Sequence, residues 1–122
     1  MLVGADLLSS RGLVNKLGTR PLALTAQAAR VPFYTLCGGE KLVPSGYDPP
    51  EQHEWPASEV WAEAPAGVTV RNQYFEWTPL AELSGIVTEQ GLLSVAEAEG
   101  RLVANKLHPA LASGGQASVS RL

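Results

Sequence analysis

MLVGADLLSSRGLVNKLGTR, residues 1–20, is the stretch on which the fold turns. Its start, Met1 to Ala5, is short and apolar and stops at Asp6, the pattern of a buried strand that delivers a polar residue to a sheet edge. Open α/β sheets place their ligands at that edge, so Asp6 is a candidate functional carboxylate; a turn aspartate before Leu7 accounts for it equally well. From Asn15 to Arg30 the pattern turns helical, with Leu17, Leu22, Leu24, Ala26, Ala28 and Ala29 on a broad apolar face. A cap at Thr19 puts Pro21 in the first turn, where proline is tolerated, and leaves Asn15–Gly18 as a loop. Free N–H groups at such a helix start favour an anion. Lys16 and Arg20 add charge there, and Gly18 allows close approach of the backbone. A basic loop with a satisfied cap is the rival reading, and the glycine spacing of a Walker loop is missing.

Working outward, Val31 to Cys37 is β-branched and aromatic and reads as a second buried strand, which makes a strand–helix–strand unit. Residues 38–66 are irregular and carry Pro44, Pro49, Pro50, Pro56 and Pro65, a long loop of the kind that faces a ligand or partner. Glu59 to Trp61 reads as a short helical or extended piece. A third strand is expected at Val68–Val70, and Thr78-Pro79 is expected to open a short helix through Leu83. Gly85–Thr88 reads as a last short strand. Ser94 and Glu97 form a capping box that starts a helix running to about Lys106. The expectation is a Rossmann-like α/β fold: a partial parallel sheet with flanking helices over residues 1–108, followed by a flexible tail, 109–122.

A chain of 122 residues suits one domain, and 45% hydrophobic with 17% charged residues is the balance of a globular protein. Nine basic residues stand against twelve acidic ones, a net charge of −3, which argues against a nucleic-acid partner. No apolar run approaches the roughly 20 residues that span a bilayer, and Met1–Gly4 lacks the look of a signal peptide. Cys37 is the single cysteine, so no internal disulfide forms, and neither a metal nor a cofactor is expected. A cytoplasmic protein is the natural expectation. His53 and His108 read as surface residues, and Cys37 as a small buried hydrophobe. Trp55, Trp61, Trp77, Tyr74 and Phe75 either cover a core edge or form a self-association surface.

The series Gly4-Ala5-Asp6, then Gly12-Leu13-Val14-Asn15-Lys16-Leu17-Gly18-Thr19, then Val31-Pro32-Phe33-Tyr34 resembles a known superfamily. It contains the translation initiation factor 2B alpha, beta and delta subunits, ribose-1,5-bisphosphate isomerase and methylthioribose-1-phosphate isomerase. Phe75-Glu76-Trp77-Thr78-Pro79 and Thr88-Glu89-Gln90-Gly91 follow in the expected order, and the resemblance covers roughly positions 1–105. It implies the C-terminal half of the initiation factor 2B-like domain and, in the isomerases, interconversion of an aldose phosphate with its ketose. By resemblance Asp6 inherits a proton-transfer role, and Asn15 and Lys16 inherit contacts to a phosphorylated sugar or nucleotide. Gly18, Thr19 and Arg20 complete the expected phosphate cradle. The catalytic cysteine of the enzymes lies upstream of the Gly-Ala-Asp motif, so Cys37 does not match it. With that half absent from the chain, the expected partners are a second copy or a polypeptide that supplies the missing N-terminal half. A non-catalytic regulatory or oligomerisation module is the alternative.

Overall fold

The computed structural model describes residues 1–47 and 49–112. Its backbone is a four-stranded sheet in the order β1 (Leu2–Gly4), β4 (Tyr34–Leu36), β6 (Gly85–Thr88) and β7 (Gly91–Leu93). The first three strands are parallel, and β7 returns antiparallel to β6. A second, antiparallel sheet is built from β2 (Leu7–Ser9), β3 (Gly12–Lys16) and β5 (Phe75–Thr78), in that order. Helix α1 (Thr19–Ala28) links β3 to β4, and α2 (Val95–Ala104) follows β7. The parallel sheet and flanking helices are those read from the sequence; the hairpin that separates β1 from its crossover helix, strand β5 and the antiparallel β7 are not.

Side chains alternate across a sheet, so the register sorts its two faces. Val3, Thr35, Ile86 and Leu93 share one face and point into a core that also takes Ala23 and Ala26 of α1 and Ala98 and Leu102 of α2. Phe33, Leu8 and Leu13 close that core from the strand ends and the hairpin. The opposite face carries Leu2, Leu36 and Leu92, which stay 59%, 53% and 61% exposed. Parallel sheets are ordinarily covered on both faces, so this aliphatic face, beside the open edge of β1, is left bare among the described residues.

The capping box is present as read: the Ser94 hydroxyl accepts from the Glu97 N–H, and the Glu97 carboxylate accepts from the Ser94 N–H. Helix α2 ends at Asn105, whose backbone is extended. The start of α1 differs from the expectation by one residue. Gly18, with φ of 103°, is the N-cap, and the buried Thr19 turns its hydroxyl back onto the Lys16 carbonyl at 2.7 Å. Pro21 lies in the first turn as expected. At the far end Arg30 adopts φ of 58°, its N–H bonds the Gln27 carbonyl and that of Val31 the Ala26 carbonyl, a Schellman closure made without glycine.

Three expectations are corrected. Residues 15–16 belong to β3 and not to a loop, because Asn15 and Lys16 pair with Glu76 and Phe75. Val68–Val70 forms no strand; Val68 is exposed and lacks a ladder partner. Thr78 does not cap a helix, because it ends β5 opposite Leu13, and only a single 3-10 turn, Leu80–Glu82, follows Pro79. The undecided piece at residues 59–61 starts in a 3-10 turn, Ala57–Glu59, of which it shares only Glu59. Of the expected tail, Pro109–Ala112 forms a short helical turn, α3, while residues 113–122 and Asp48 lie outside the described residues.

Candidate functional site

The carboxyl ends of the parallel strands converge on one crest. There β1 runs out through Ala5 to Asp6, β4 through Cys37 to Gly38 and Gly39, and β6 through Thr88 to Glu89. At Asp6 the chain leaves one sheet for the other: its N–H donates to the Val14 carbonyl at 2.9 Å, which starts the hairpin. The side chain is thereby left exposed, and among the described residues its carboxylate makes no hydrogen bond or ion pair.

Strand β3 runs back beside this junction and brings Asn15 to it. Asn15 Oδ1 lies against Gly4, the residue two before Asp6, while Asn15 Nδ2 donates to Thr19 Oγ1 at 3.0 Å. Lys16, next in the strand, is exposed, with Nζ 4.6 Å from the centre of the Tyr74 ring and 5.5 Å from that of Phe75. Asp6 and Asn15, separated in sequence, are therefore brought to one place, and Lys16 stands on the adjoining aromatic flank.

The remaining cradle residues are already partnered. Glu76 Oε1 accepts the Gly18 N–H at 2.7 Å and the Arg20 N–H at 2.9 Å, so the start of α1 holds a carboxylate from β5. The Arg20 guanidinium binds Glu82 at 3.1 Å, and Thr19 is buried within its own turn. The amides of Gly18 and Arg20 are therefore taken, which leaves the exposed Lys16 as the unpaired cation beside this helix start.

Three residues of the crest, Gly38, Gly39 and Lys41, were not singled out from the sequence, and Glu89 entered only within the Thr88–Gly91 motif. Gly39–Lys41 forms a single 3-10 turn, and the Gly39 N–H donates to Glu89 Oε2 at 2.9 Å. Glu89's own N–H and that of Gly39 hold its carboxyl below the usual carboxylate range. Side chains of Glu40 and Glu89 fill the space that Cβ atoms on the two glycines would need, a requirement that only the fold shows. Lys41 Nζ donates to the Ala5 carbonyl at 2.7 Å, directly behind Asp6.

Cys37 is fully buried, and burial pushes its thiol from the ordinary 9.0 up to about 11, with Lys41 opposing and Glu40 and Glu89 assisting. A buried thiol with so little thiolate is a poor nucleophile. Alkylation by iodoacetamide at pH 8 is expected to be slow in the folded protein and fast in urea; equal rates would contradict the burial. The raised value also sets a pH dependence. Above about pH 9 the unfolded chain loses this proton first, so stability contributed by Cys37 falls as pH rises from 9 to 11 and is complete below 9.

Elsewhere, a shallow cavity of about 160 Å³ lies beneath α1, lined by Ala23, Gln27, Phe33, Glu82 and Ser84. Phe33 and Ser84 precede β4 and β6, which puts it at the opposite ends of the strands from Asp6. On the outer loop Tyr74 stacks on Trp55 at 4.8 Å, and His53 meets Trp55 edge-on. Tyr74 and Asn72 both donate to Glu59, which lowers the acidity range of that carboxyl and raises that of the tyrosine. Among the described residues no cluster of three or more His, Cys, Asp or Glu is arranged to hold a metal, and no helix is long and apolar enough to cross a membrane.

Comparison with known proteins fits this arrangement. The model of the initiation factor 2 subunit family matches residues 1–95. A methylthioribose-1-phosphate isomerase of Oleidesulfovibrio alaskensis is 40% identical over 102 residues, which cover 76% of this chain and 28% of that protein. The crystal structure of 5-methylthioribose 1-phosphate isomerase from Pyrococcus horikoshii superposes with a TM-score of 0.66 at 30% identity, over 83% of this chain and 31% of that one. The delta subunit of translation initiation factor eIF-2B from A. fulgidus gives 0.64 at 25% identity, over 81% and 33%. The chain thus spans about a third or less of the length of the relatives it matches.

Proposed function

Because the chain belongs to the initiation factor 2 subunit family, we propose that it carries part of a sugar-phosphate aldose–ketose isomerase-like site. Asp6 is the proton-transfer carboxylate, and Asn15 and Lys16 hold a phosphorylated pentose. The observation that carries this reading is the free Asp6 carboxylate at the carboxyl edge of the parallel sheet, with Asn15 packed against the same strand end. Aldose–ketose interconversion moves a proton between neighbouring carbons, and a carboxylate held next to the sugar can take it and return it. The buried Cys37, with its thiol pushed up to about 11, is unsuited to a partner role. The setting is proposed to be cytoplasmic.

Calorimetric titration with ribose 5-phosphate tests the binding half. Lys16→Ala is expected to weaken affinity at least tenfold, and Asp6→Asn to leave it within about twofold, since loss of one charge-assisted contact amounts to ~1.5–3 kcal/mol. Undiminished binding by Lys16→Ala would sink the phosphate assignment.

The bare face formed by Leu2, Leu36 and Leu92 favours a second reading, a module that acts through assembly with another copy or with a polypeptide supplying further strands. Light scattering is expected to give a mass above that of one chain, and Leu36→Glu to lower it. A strictly monomeric mass for the unsubstituted protein would count against assembly through self-association.

A further inference from the structure

We infer that Lys41 is a second ligand-contacting cation of this site, directed at the sugar oxygen next to Asp6 and not at the phosphate. The inference deepens the sugar-phosphate reading and rests on it.

Lysine ammonium groups ordinarily extend into water. Lys41 instead folds back from the turn after β4, is only partly exposed, and places Nζ 2.7 Å from the Ala5 carbonyl at the end of β1. An ammonium has three N–H donors, and this bond uses one of them. The other two have no partner among the described residues. No carboxylate neutralises it: the ion pairs of the described residues all use arginine, namely Arg11–Glu51, Arg20–Glu82 and Arg71–Glu54.

The other two acids of the crest besides Asp6 are turned elsewhere. Glu89 accepts from the Gly39 backbone, and Glu40 lies against Gly38. A half-buried cation with free donors is thus fixed to the residue before the Asp6 carboxylate. Lys16 differs in each respect, being exposed and set over the Tyr74 ring. The two lysines approach from different elements: Lys16 follows Asn15, which packs at Gly4, whereas Lys41 reaches Ala5 from beyond β4. When Asp6 withdraws a proton from the carbon next to a carbonyl, negative charge develops on the sugar oxygen, and a preorganised ammonium there stabilises it. A strap that only ties the turn to β1 would need one donor and no free charge.

The test is a titration of the folded chain with ribose 5-phosphate and, separately, with inorganic phosphate, using Lys16→Ala, Lys41→Met and Lys41→Arg. Lys41→Met is expected to weaken ribose 5-phosphate at least tenfold while phosphate stays within twofold, and Lys41→Arg to restore part of the loss. Lys16→Ala is expected to weaken both. Lys41→Met that binds ribose 5-phosphate as the unsubstituted chain does, with or without a lower melting temperature, overturns the inference while leaving the Lys16 reading intact. Equal loss of both ligands in a Lys41→Met protein with a native near-ultraviolet spectrum overturns it as well, by making Lys41 a phosphate contact. Loss in Lys41→Met with none in Lys16→Ala supports Lys41 and removes the phosphate loop. Absence of any binding by the unsubstituted chain at ~10 mM, where affinity is worth only about 3 kcal/mol, overturns both.

Discussion

Substituting Gly12 with alanine is expected to destabilise the protein by about 3–5 kcal/mol, enough to leave a small domain largely unfolded at room temperature. Gly12 opens β3 immediately after the tight turn at Ser10 and Arg11, and its φ of +147° is a conformation that L side chains rarely adopt. Space is the second obstacle. A Cβ at this position would stand 2.5 Å from the Thr78 carbonyl oxygen and 3.2 Å from the carbon. Both are backbone atoms of β5, the strand that β3 pairs with through Leu13↔Thr78, so no side-chain rotation relieves the overlap. Relief requires β3 and β5 to part at their closest ladder, and that ladder is what carries Asn15 to Gly4. A urea titration followed by circular dichroism measures the loss. A midpoint shift worth less than about 1 kcal/mol would mean that the hairpin is softer than its packing implies. Gly46 and Gly67 also have positive φ, but nothing lies within 4 Å of a Cβ added there, so alanine at either is expected to incur the backbone strain alone.

The contrast between what the sequence displayed and what it concealed follows from where each element's partners lie. Strands β1, β4 and β6 are short apolar runs whose neighbours are each other, so composition marks them as strands, although β1 and β4 are buried on one face only. The α2 start was legible because both halves of its capping box lie within four residues, Ser94 and Glu97. The hairpin was hidden for the opposite reason. Its turn, Ser10-Arg11, has none of the Asn-Gly or Asp-Gly signals of a two-residue loop, and Leu17 prolonged the apparent helical pattern back into β3. Strand β5 reads as a cluster of aromatics, because Phe75-Glu76-Trp77-Thr78 becomes a strand only when β3 is there to pair with it. At the crest, Asp6 was visible through its place at the end of an apolar run, whereas Lys41 stands in a proline-rich stretch with no periodicity to mark it. Only the fold shows that its ammonium returns to Ala5.

Glu76 is the sharpest instance of a long-range partner, and its replacement carries the second large effect. The sequence places a bare anion site at the start of α1, yet the structure fills that site from 58 residues downstream, with Glu76 Oε1 receiving both the Gly18 and the Arg20 N–H. Glu76→Ala is expected to cost about 2–3 kcal/mol. It leaves two amides at a helix start without an acceptor and removes a negative charge that the positive end of the helix dipole stabilises. Glu76→Gln keeps a carbonyl acceptor in the same place and loses only the charge, so its cost is expected near ~0.5 kcal/mol. The two variants together separate hydrogen bonding from charge: equal losses would mean that the dipole dominates, and no loss in either would mean that α1 is held by its core contacts through Ala23 and Ala26 alone. There is a functional consequence as well. With the carboxylate gone, the Gly18 and Arg20 amides are released beside Lys16, and inorganic phosphate is expected to bind Glu76→Ala more tightly than the unsubstituted chain, detectable as a melting temperature that rises more steeply with phosphate in the variant. If phosphate stabilises both proteins equally, the anion site is independent of the helix start, and Lys16 with Asn15 accounts for all of it.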